Sequence, residues 1–277
     1  MVHDKRISLQ QAAEVIKNNA SLTFSGFTIW RRPFALVYEL IRQQRRGLHL
    51  IEVNGGPQTE FLVGAGCVDI WESCWVGHEL YGKYGANLSR KAGKKEILVE
   101  DYSHAEMMFR FAAAAQGAPY AVTQTSLGTD IHNLEYDTLG RAGKRDGKRI
   151  AKQKYIFTED PFFDAGRLVM IPAVKVDVAV LAVQQVGEEG TVRIDGQTYS
   201  DQEAARAADV TIVVAEEIVP EEYLRRAADR NAIPTFEVDY IVECPYCAHP
   251  TGMFGKYDVD GAFLKDFFSK TRTQEGF

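Results

Sequence analysis

The chain carries 277 residues, 45% of them hydrophobic, with 32 basic against 38 acidic side chains and a formal net charge of -6. An acidic balance argues against a protein that coats nucleic acid or an anionic membrane, so an anionic ligand has to meet a local basic patch. No apolar run approaches the roughly 18 residues of a membrane span, and the N-terminal residues lead into a polar helix rather than an apolar leader. Four cysteines, Cys67, Cys74, Cys244 and Cys247, are too few for a disulfide framework. These features predict a cytoplasmic protein with reduced thiols and, since no Ser/Pro-rich linker divides it, one domain over 1–277.

From the N-terminus, Ser8-Leu9-Gln10-Gln11 reads as a capping box, and apolar residues then recur at Leu9, Ala12, Ala13 and Ile16. Residues 21–24 form a short strand. Gly26 releases the chain into a loop, and Pro33, suited to a first helical turn, opens a helix over 34–42. Gly47 fits a helix C-cap, 48–53 a buried strand, and Gly55-Gly56-Pro57 breaks it before a helical stretch over 59–65. Strand 70–76, helix 86–92 and strand 96–99 continue the alternation. Ser103-His104-Ala105-Glu106 is a second capping box, launching a helix that runs to Gln116 and stops at Gly117. Residues 120–124 then restart the sheet. The polar, glycine-spaced stretch 141–154 has no apolar period; it is the longest irregular segment and the one expected to be most mobile. Residues 176–183 are almost continuously apolar, as a central parallel strand buried on both faces requires. Segments 201–208, 211–215, 221–229 and 236–242 extend the pattern, and a last helix covers 262–270. The alternation predicts an α/β fold, an open, mainly parallel, doubly wound sheet with helices on both faces.

Several residues could carry chemistry. Cys244-Pro245-Tyr246-Cys247 invites a redox reading, since a Cys-x-x-Cys at a helix start has a lowered thiol pKa. Pro250 follows closely, however, no helix begins at Cys247, and no second cysteine pair exists to complete a zinc site, so no metal is expected. His78-Glu79 lacks the second histidine of a helical zinc site, Gly82 standing at that position. His104 falls in the first turn of a helix beside a strand end, where the dipole disfavours a protonated ring and leaves a neutral imidazole able to donate or accept. A half-exposed helix-start residue without further role is the plainer reading. His249, between Ala248 and Pro250, sits in a stiff loop. No Gly-x-Gly-x-x-Gly or Walker loop is present. The basic run Arg141, Lys144, Arg145, Lys148, Arg149, Lys152 and Lys154 could hold the phosphates of a cofactor tail or simply face water. Glu52, at a strand end just before Asn54-Gly55-Gly56, could serve as nucleophile or base if desolvation raised its pKa, or be a solvent-facing carboxylate.

Taken together, Ser25-Gly26-Phe27-Thr28, Arg32-Pro33, Val37-Tyr38-Glu39, Glu100-Asp101-Tyr102-Ser103, Gln184-Gln185, Gly190-Thr191-Val192-Arg193-Ile194, Glu216-Glu217-Ile218, Pro245-Tyr246, Ala248-His249-Pro250 and Thr273-Gln274-Glu275 carry a resemblance over nearly the whole chain. The sequence resembles the alpha (A-type) subunit of family I coenzyme A transferases, and looks closest to the glutaconate CoA-transferase type. The resemblance implies an open α/β fold and a complex with a homologous beta subunit, heterodimeric or higher. It also implies coenzyme A as substrate rather than as a permanently bound cofactor. In such transferases CoA moves between an acyl-CoA and a carboxylic, here expectedly dicarboxylic, acid. A glutamate belonging to the partner chain attacks the thioester to give an acyl-glutamyl anhydride, and the released thiolate then forms a glutamyl-CoA thioester that passes CoA to the acceptor. This chain would supply substrate-facing loops, with backbone amides at its glycine turns steadying the oxyanion.

By motif, the loops expected to face substrate are Ser25-Gly26-Phe27, Gly55-Gly56, Ser126-Leu127-Gly128-Thr129-Asp130 and Ala248-His249-Pro250. Three departures from the glutaconate type bear on pocket shape and chemistry. Asn54-Gly55-Gly56-Pro57 replaces a more glycine-rich loop, Cys247 stands where a glycine is expected, and His104 stands in place of a neutral amide side chain. Similar folds also run ring-opening hydrolysis and decarboxylation of acyl-CoA, the former with a carboxylate near the Ser103-His104 segment. The alternative reading is therefore an acyl-CoA hydrolase or decarboxylase that uses His104 as acid/base.

Overall fold

The computed structural model of the chain describes residues 4–82 and 85–277. Its first half alternates strictly: α1 (Leu9–Val15), β1 (Ser21–Phe24), α2 (Phe34–Arg42), β2 (Leu48–Ile51), α3 (Pro57–Gly64), β3 (Val68–Ser73), α4 (Ala86–Gly93), β4 (Leu98–Asp101) and α5 (His104–Ala115). Next come β5 (Tyr120–Thr123), α6 (Thr138–Arg141), β6 (Ile156–Glu159) and β7 (Arg167–Pro172), before the long β8 (Val176–Gly187). The rest of the chain is β9 (Val192–Arg193), α7 (Asp201–Ala207), β10 (Ala208–Val219), α8 (Glu221–Arg225), β11 (Asn231–Ile233), β12 (Tyr240–Glu243) and α9 (Gly261–Lys270). Both capping boxes form: Ser8 and Gln11 close α1, Ser103 and Glu106 close α5, each Ser Oγ accepting the N3 amide while the N3 side chain accepts the cap amide.

A nine-stranded sheet dominates. β8 lies at its centre, parallel to β1 on one side and β10 on the other, with β2, β3 and β4 following β1 and β12 following β10, all in parallel. Among the described residues only β9 and β11 add antiparallel pairs to this sheet, beside the far end of β8. Helices cover both faces. Leu22, Phe24, Leu48, Leu50, Val178 and Val180 pack beneath α1, α2 and α3, while Met107 and Phe111 of α5 and Ala204 of α7 pack with Ile51 and Val176 on the other side. The expected mainly parallel α/β sheet is therefore the observed one.

Some expected elements move. The strand expected over 120–124 does not restart the large sheet; β5 pairs antiparallel with β7, and β7 with β6, as a separate three-stranded sheet. Val169 and Ile171 of β7 are fully buried against α5, so this small sheet is a lid on that helix rather than an extension of the parallel one. Residues 235–237 form a 3-10 turn, leaving β12 to begin at Tyr240. The stretch 141–154 is irregular beyond α6, as expected, but it is anchored. Arg145 bridges Glu100 and Asp137, each at 2.7 Å, and Lys154 is fully buried 3.2 Å from Asp101.

That anchoring covers a charged layer on the α5 face of the sheet. Glu72 and Glu100 are register neighbours on β3 and β4. Burial pushes both carboxyls up, but Arg110 and His49 close on Glu72 and hold it down at about 2. Glu100 is pushed by burial and then by Glu72 to about 7, with Arg145 only partly opposing, and its Oε2 has no partner. The folded-state value of Glu100 thus lies above the ordinary 4.5, so the folded chain retains a proton that the unfolded chain releases. Its stabilising contribution is complete below pH 4.5 and is lost as the pH rises through 7, a span worth roughly 3 kcal/mol. Glu100→Gln, which cannot titrate, should therefore gain on the wild-type chain by about that amount between pH 4.5 and 8 in urea denaturation. A constant difference across that range would remove Glu100 as the titrating group.

Candidate active site

The loop after β1 is locked at both ends. Ser25 Oγ donates to the carbonyl of Arg31 (2.9 Å) and accepts from the amide of Ala182 (2.8 Å). Gly26 lies at φ +84°, and a Cβ there would stand 2.1 Å from the carbonyl oxygen of Trp30. Only glycine fits. Arg31, also left-handed at φ 54°, donates to Asp201 at 2.5 Å and to the carbonyls of Gln197 and Ala182. Arg32, fully buried, donates to the carbonyls of Ser25, Thr28 and Asn54 and to Asn54 Oδ1, stapling this loop to the one that follows β2. Gly56 completes the joint: a Cβ would meet the Thr28 carbonyl at 2.3 Å.

The proposed oxyanion donors are partly occupied. The Gly26 amide donates to Asp201 Oδ1 (2.9 Å) and the Gly55 amide to the Trp75 carbonyl (2.7 Å). The Gly56 amide is held only by a long 3.4 Å contact with Thr59 Oγ1. Glu52 is 1% exposed, and its two oxygens accept from Gln58 Nε2 (2.6 Å), Thr59 Oγ1 (2.7 Å) and Trp71 Nε1 (3.3 Å), with Arg32 at 4.0 Å.

His104 stands exposed at the first position of α5. Its Nε2 is hydrogen-bonded to the hydroxyl of Tyr199, and the Tyr199 ring packs edge-on against Phe27, centroids 4.7 Å apart. Burial, and next to it Cys74, raise the Tyr199 phenol, so it keeps its proton and can donate to the imidazole. Tyr199 was missed by sequence reasoning. The available signal was its place just before the α7 start, since helix starts at the carboxyl edge of a doubly wound sheet face the ligand. Its backbone, at φ 49°, is in the left-handed region that an aromatic residue adopts only when its surroundings impose it.

The remaining loops flank this line. Glu106, the capping residue of α5, gives its other oxygen to the buried His132 (2.7 Å), drawing the exposed Gly128, Thr129 and Asp130 and the half-buried Ser126 toward the helix start. His249 pairs with Asp260 at 3.0 Å and is exposed, while the segment after it runs beside Ile29 and Arg31 through the Gly252 amide and carbonyl. The structure thus joins Phe27 to His104 through Tyr199, leaves Ser25, Gly26, Gly55, Gly56 and Glu52 buried in the frame behind them, and leaves His249 exposed on a flanking loop. Cys247 is buried, and burial holds its thiol well above the ordinary value; burial raises Cys244 as well. Neither is an activated thiolate. Lys148, Arg149 and Lys152 rim a cavity of about 270 Å³ above Glu72 and Glu100.

Fold and loops together define an open α/β protein that gathers its ligand loops at the carboxyl edge of a parallel sheet. The Coenzyme A transferase family profile matches residues 6–244. The chain is 32% identical over 280 residues to the A-type subunit of glutaconate CoA-transferase from Acidaminococcus fermentans, covering 99% of this chain and 85% of that one. A crystal structure of the glutaconate coenzyme A-transferase from Acidaminococcus fermentans superposes with a TM-score of 0.92 at 31% identity, covering 99% and 86% of the two chains. The A-type subunit of 3-oxoadipate CoA-transferase from Pseudomonas knackmussii is 27% identical over 274 residues, with 98% and 90% covered. A variant of the decarboxylase AibA/AibB superposes with a TM-score of 0.82 at 29% identity, with 100% and 97% covered. The chain belongs to the coenzyme A transferase family, and in both transferases it is the A-type chain that it matches. Among the described residues no helix is long and apolar enough to cross a membrane.

Because Gly26 has both a left-handed φ and no room for a methyl group, Gly26→Ala should destabilise the chain by about 2 kcal/mol or more, read as a lowered urea midpoint. A midpoint unchanged from wild type would show that the loop can relax away from Trp30.

Proposed function

We propose that this chain is the alpha subunit of a cytoplasmic heteromeric enzyme that moves CoA between an acyl-CoA and a carboxylic acid. The reactive glutamate, in this reading, belongs to a homologous partner chain. It attacks the thioester carbonyl, forming an acyl-glutamyl anhydride and releasing CoA thiolate. The thiolate attacks the glutamyl carbonyl, giving glutamyl-CoA and the free acid, and the acceptor carboxylate then runs the two steps in reverse. The observation that carries the reading is Glu52: the carboxylate best placed by sequence for the nucleophile is buried, and three donors engage its oxygens. A nucleophile on a second chain resolves that difficulty. This chain would contribute Phe27, the Ser126-to-Asp130 loop and His249 as substrate-facing walls, with the Gly55-Gly56 loop behind them and its lightly held Gly56 amide the best remaining oxyanion donor.

One observation favours the hydrolase or decarboxylase alternative. His104 presents an exposed imidazole, its Nε2 already partnered by Tyr199, an arrangement suited to proton transfer. The test uses the complex recovered with its partner from source cells. In the transferase reading, hydroxylamine or borohydride inactivates the enzyme only after exposure to acyl-CoA, because only then does a protein thioester exist. Full activity after that treatment, together with a loss of about 100-fold in turnover on His104→Ala, would move the assignment to hydrolysis or decarboxylation.

A further inference from the structure

A pocket of about 270 Å³ opens beside the Ser25-Gly26-Phe27 loop, walled by the rings of Phe27, Trp30 and Phe254. We propose that this pocket receives the acyl end of the thioester and that the acyl group it selects is apolar, a hydrocarbon chain or an aromatic ring, in place of a dicarboxylic one. The proposal rests on the acyl-CoA reading above and narrows it to a substrate class.

Position comes first. Phe27 both lines this pocket and packs on Tyr199, which in turn bonds His104, so the pocket is joined to His104 through a shared ring. The walls are set before any ligand arrives. Phe27 and Trp30 exchange two backbone hydrogen bonds, 3.1 and 2.8 Å. The Trp30 ring lies over Gly252, where a Cβ would stand 2.4 Å from it, and the Phe254 ring lies over Gly196, where a Cβ would stand 3.3 Å away. Two glycines thus seat two aromatic rings, and larger residues would displace them.

Charge decides the class. The far carboxylate of a dicarboxylic acyl group needs a cation or several free donors when it leaves water. Among the described residues of the lining the one cation is Arg31, and it is committed: its side chain is 4% exposed, with Asp201 at 2.5 Å and two backbone carbonyls as further acceptors. The lining's other charged group is Asp195, an anion whose Oδ1 is already held at the surface by Arg230. A second carboxylate would therefore meet Asp195 and no uncommitted cation in the lining, with only the Gln197 amide and the Trp30 indole N–H as neutral donors. A hydrocarbon meets three rings, each buried methylene being worth about fourfold in binding. Trp30 and Phe254 are 37% and 60% exposed in this chain, so a ligand that covers them removes a large apolar surface from water.

The experiment compares hexanoyl-CoA with glutaryl-CoA as thioester for the recovered complex, in wild type, Trp30→Leu and Phe254→Ala. The expected result is a kcat/KM at least tenfold higher for hexanoyl-CoA, with that ratio reduced tenfold or more in either variant. A preference for glutaryl-CoA overturns the proposal. So does a variant that loses the partner chain in native mass measurement while the remaining complex keeps its preference, which would make the patch an interchain contact. If neither thioester is turned over, the acyl-CoA reading itself fails, and the pocket is then judged by the Trp30 part of the fluorescence, defined as the change lost in Trp30→Phe. Quenching by hexanoate at concentrations where glutarate gives none supports an apolar pocket; equal quenching, or none, ends it.

Discussion

The site depends on one buried cation. Arg32 sits between the loops that follow β1 and β2, and its guanidinium donates to three backbone carbonyls and one side-chain oxygen drawn from both. Burial lowers its pKa, with Glu52 at 4.0 Å opposing that, yet an arginine keeps its charge in such a site. The charge holds because four of its five N–H groups find an oxygen and Glu52 stands near as counter-charge. Glu52 is in turn fixed by Gln58, Thr59 and Trp71, so a single chain of contacts runs from β1 through α3 to β3. Glu52 therefore has a structural partner whose loss would leave the guanidinium without its counter-charge. That is a physical reason for a strand-end carboxylate to be present without entering any reaction.

A second ion pair does the corresponding work across the sheet. Arg31 and Asp201 join the β1 loop to the start of α7, and Asp201 also accepts the Gly26 amide. The backbone there is held in the left-handed region at Gly26, Thr28 and Arg31 and, on the facing segment, at Tyr199. Such conformations cost on the order of 1–3 kcal/mol each for residues with side chains and persist only where the surroundings impose them. The two buried arginines and their acceptors supply that imposition. Thr28, Arg31 and Tyr199 place strained backbone around the contact of Phe27 with Tyr199, which is what a pre-set binding wall requires.

The sequence made the local part of this legible. Ser8 and Ser103 announce their helices because a capping box is complete within four residues. Gly26 and Gly56 announce close backbone approaches because no other residue leaves room. What stayed hidden is tertiary. The basic stretch from Arg141 reads as solvated until Glu100 and Asp101, distant in sequence, and the nearer Asp137 take up Arg145 and Lys154. Strands β6 and β7 leave little trace in the sequence because each is short and half-buried, and their pairing with β5 closes a sheet that no parallel alternation foretells. Tyr199 reaches His104 across 95 positions of chain, a distance at which residue spacing carries no information.

The same contrast separates frame from chemistry. Glu52, Glu72 and Asp201 are each drawn into the interior and matched by Arg32, Arg110 and Arg31 respectively, so the carboxylates that hold this edge of the sheet together are the ones least able to react. What stays accessible is the His104 imidazole and aromatic surface, with the lightly bonded Gly56 amide just beneath. In the proposed reading these features are complementary to a carboxylate carried in from outside. A free glutamate beside Glu52 would add like charge to a layer already balanced by its arginines, whereas one supplied by a second chain enters only when that chain's own surroundings accompany it. Dividing the site between two homologous chains then lets one be rigid and charge-neutralised and the other carry the reactive group, which follows from electrostatics before any question of which acid is exchanged.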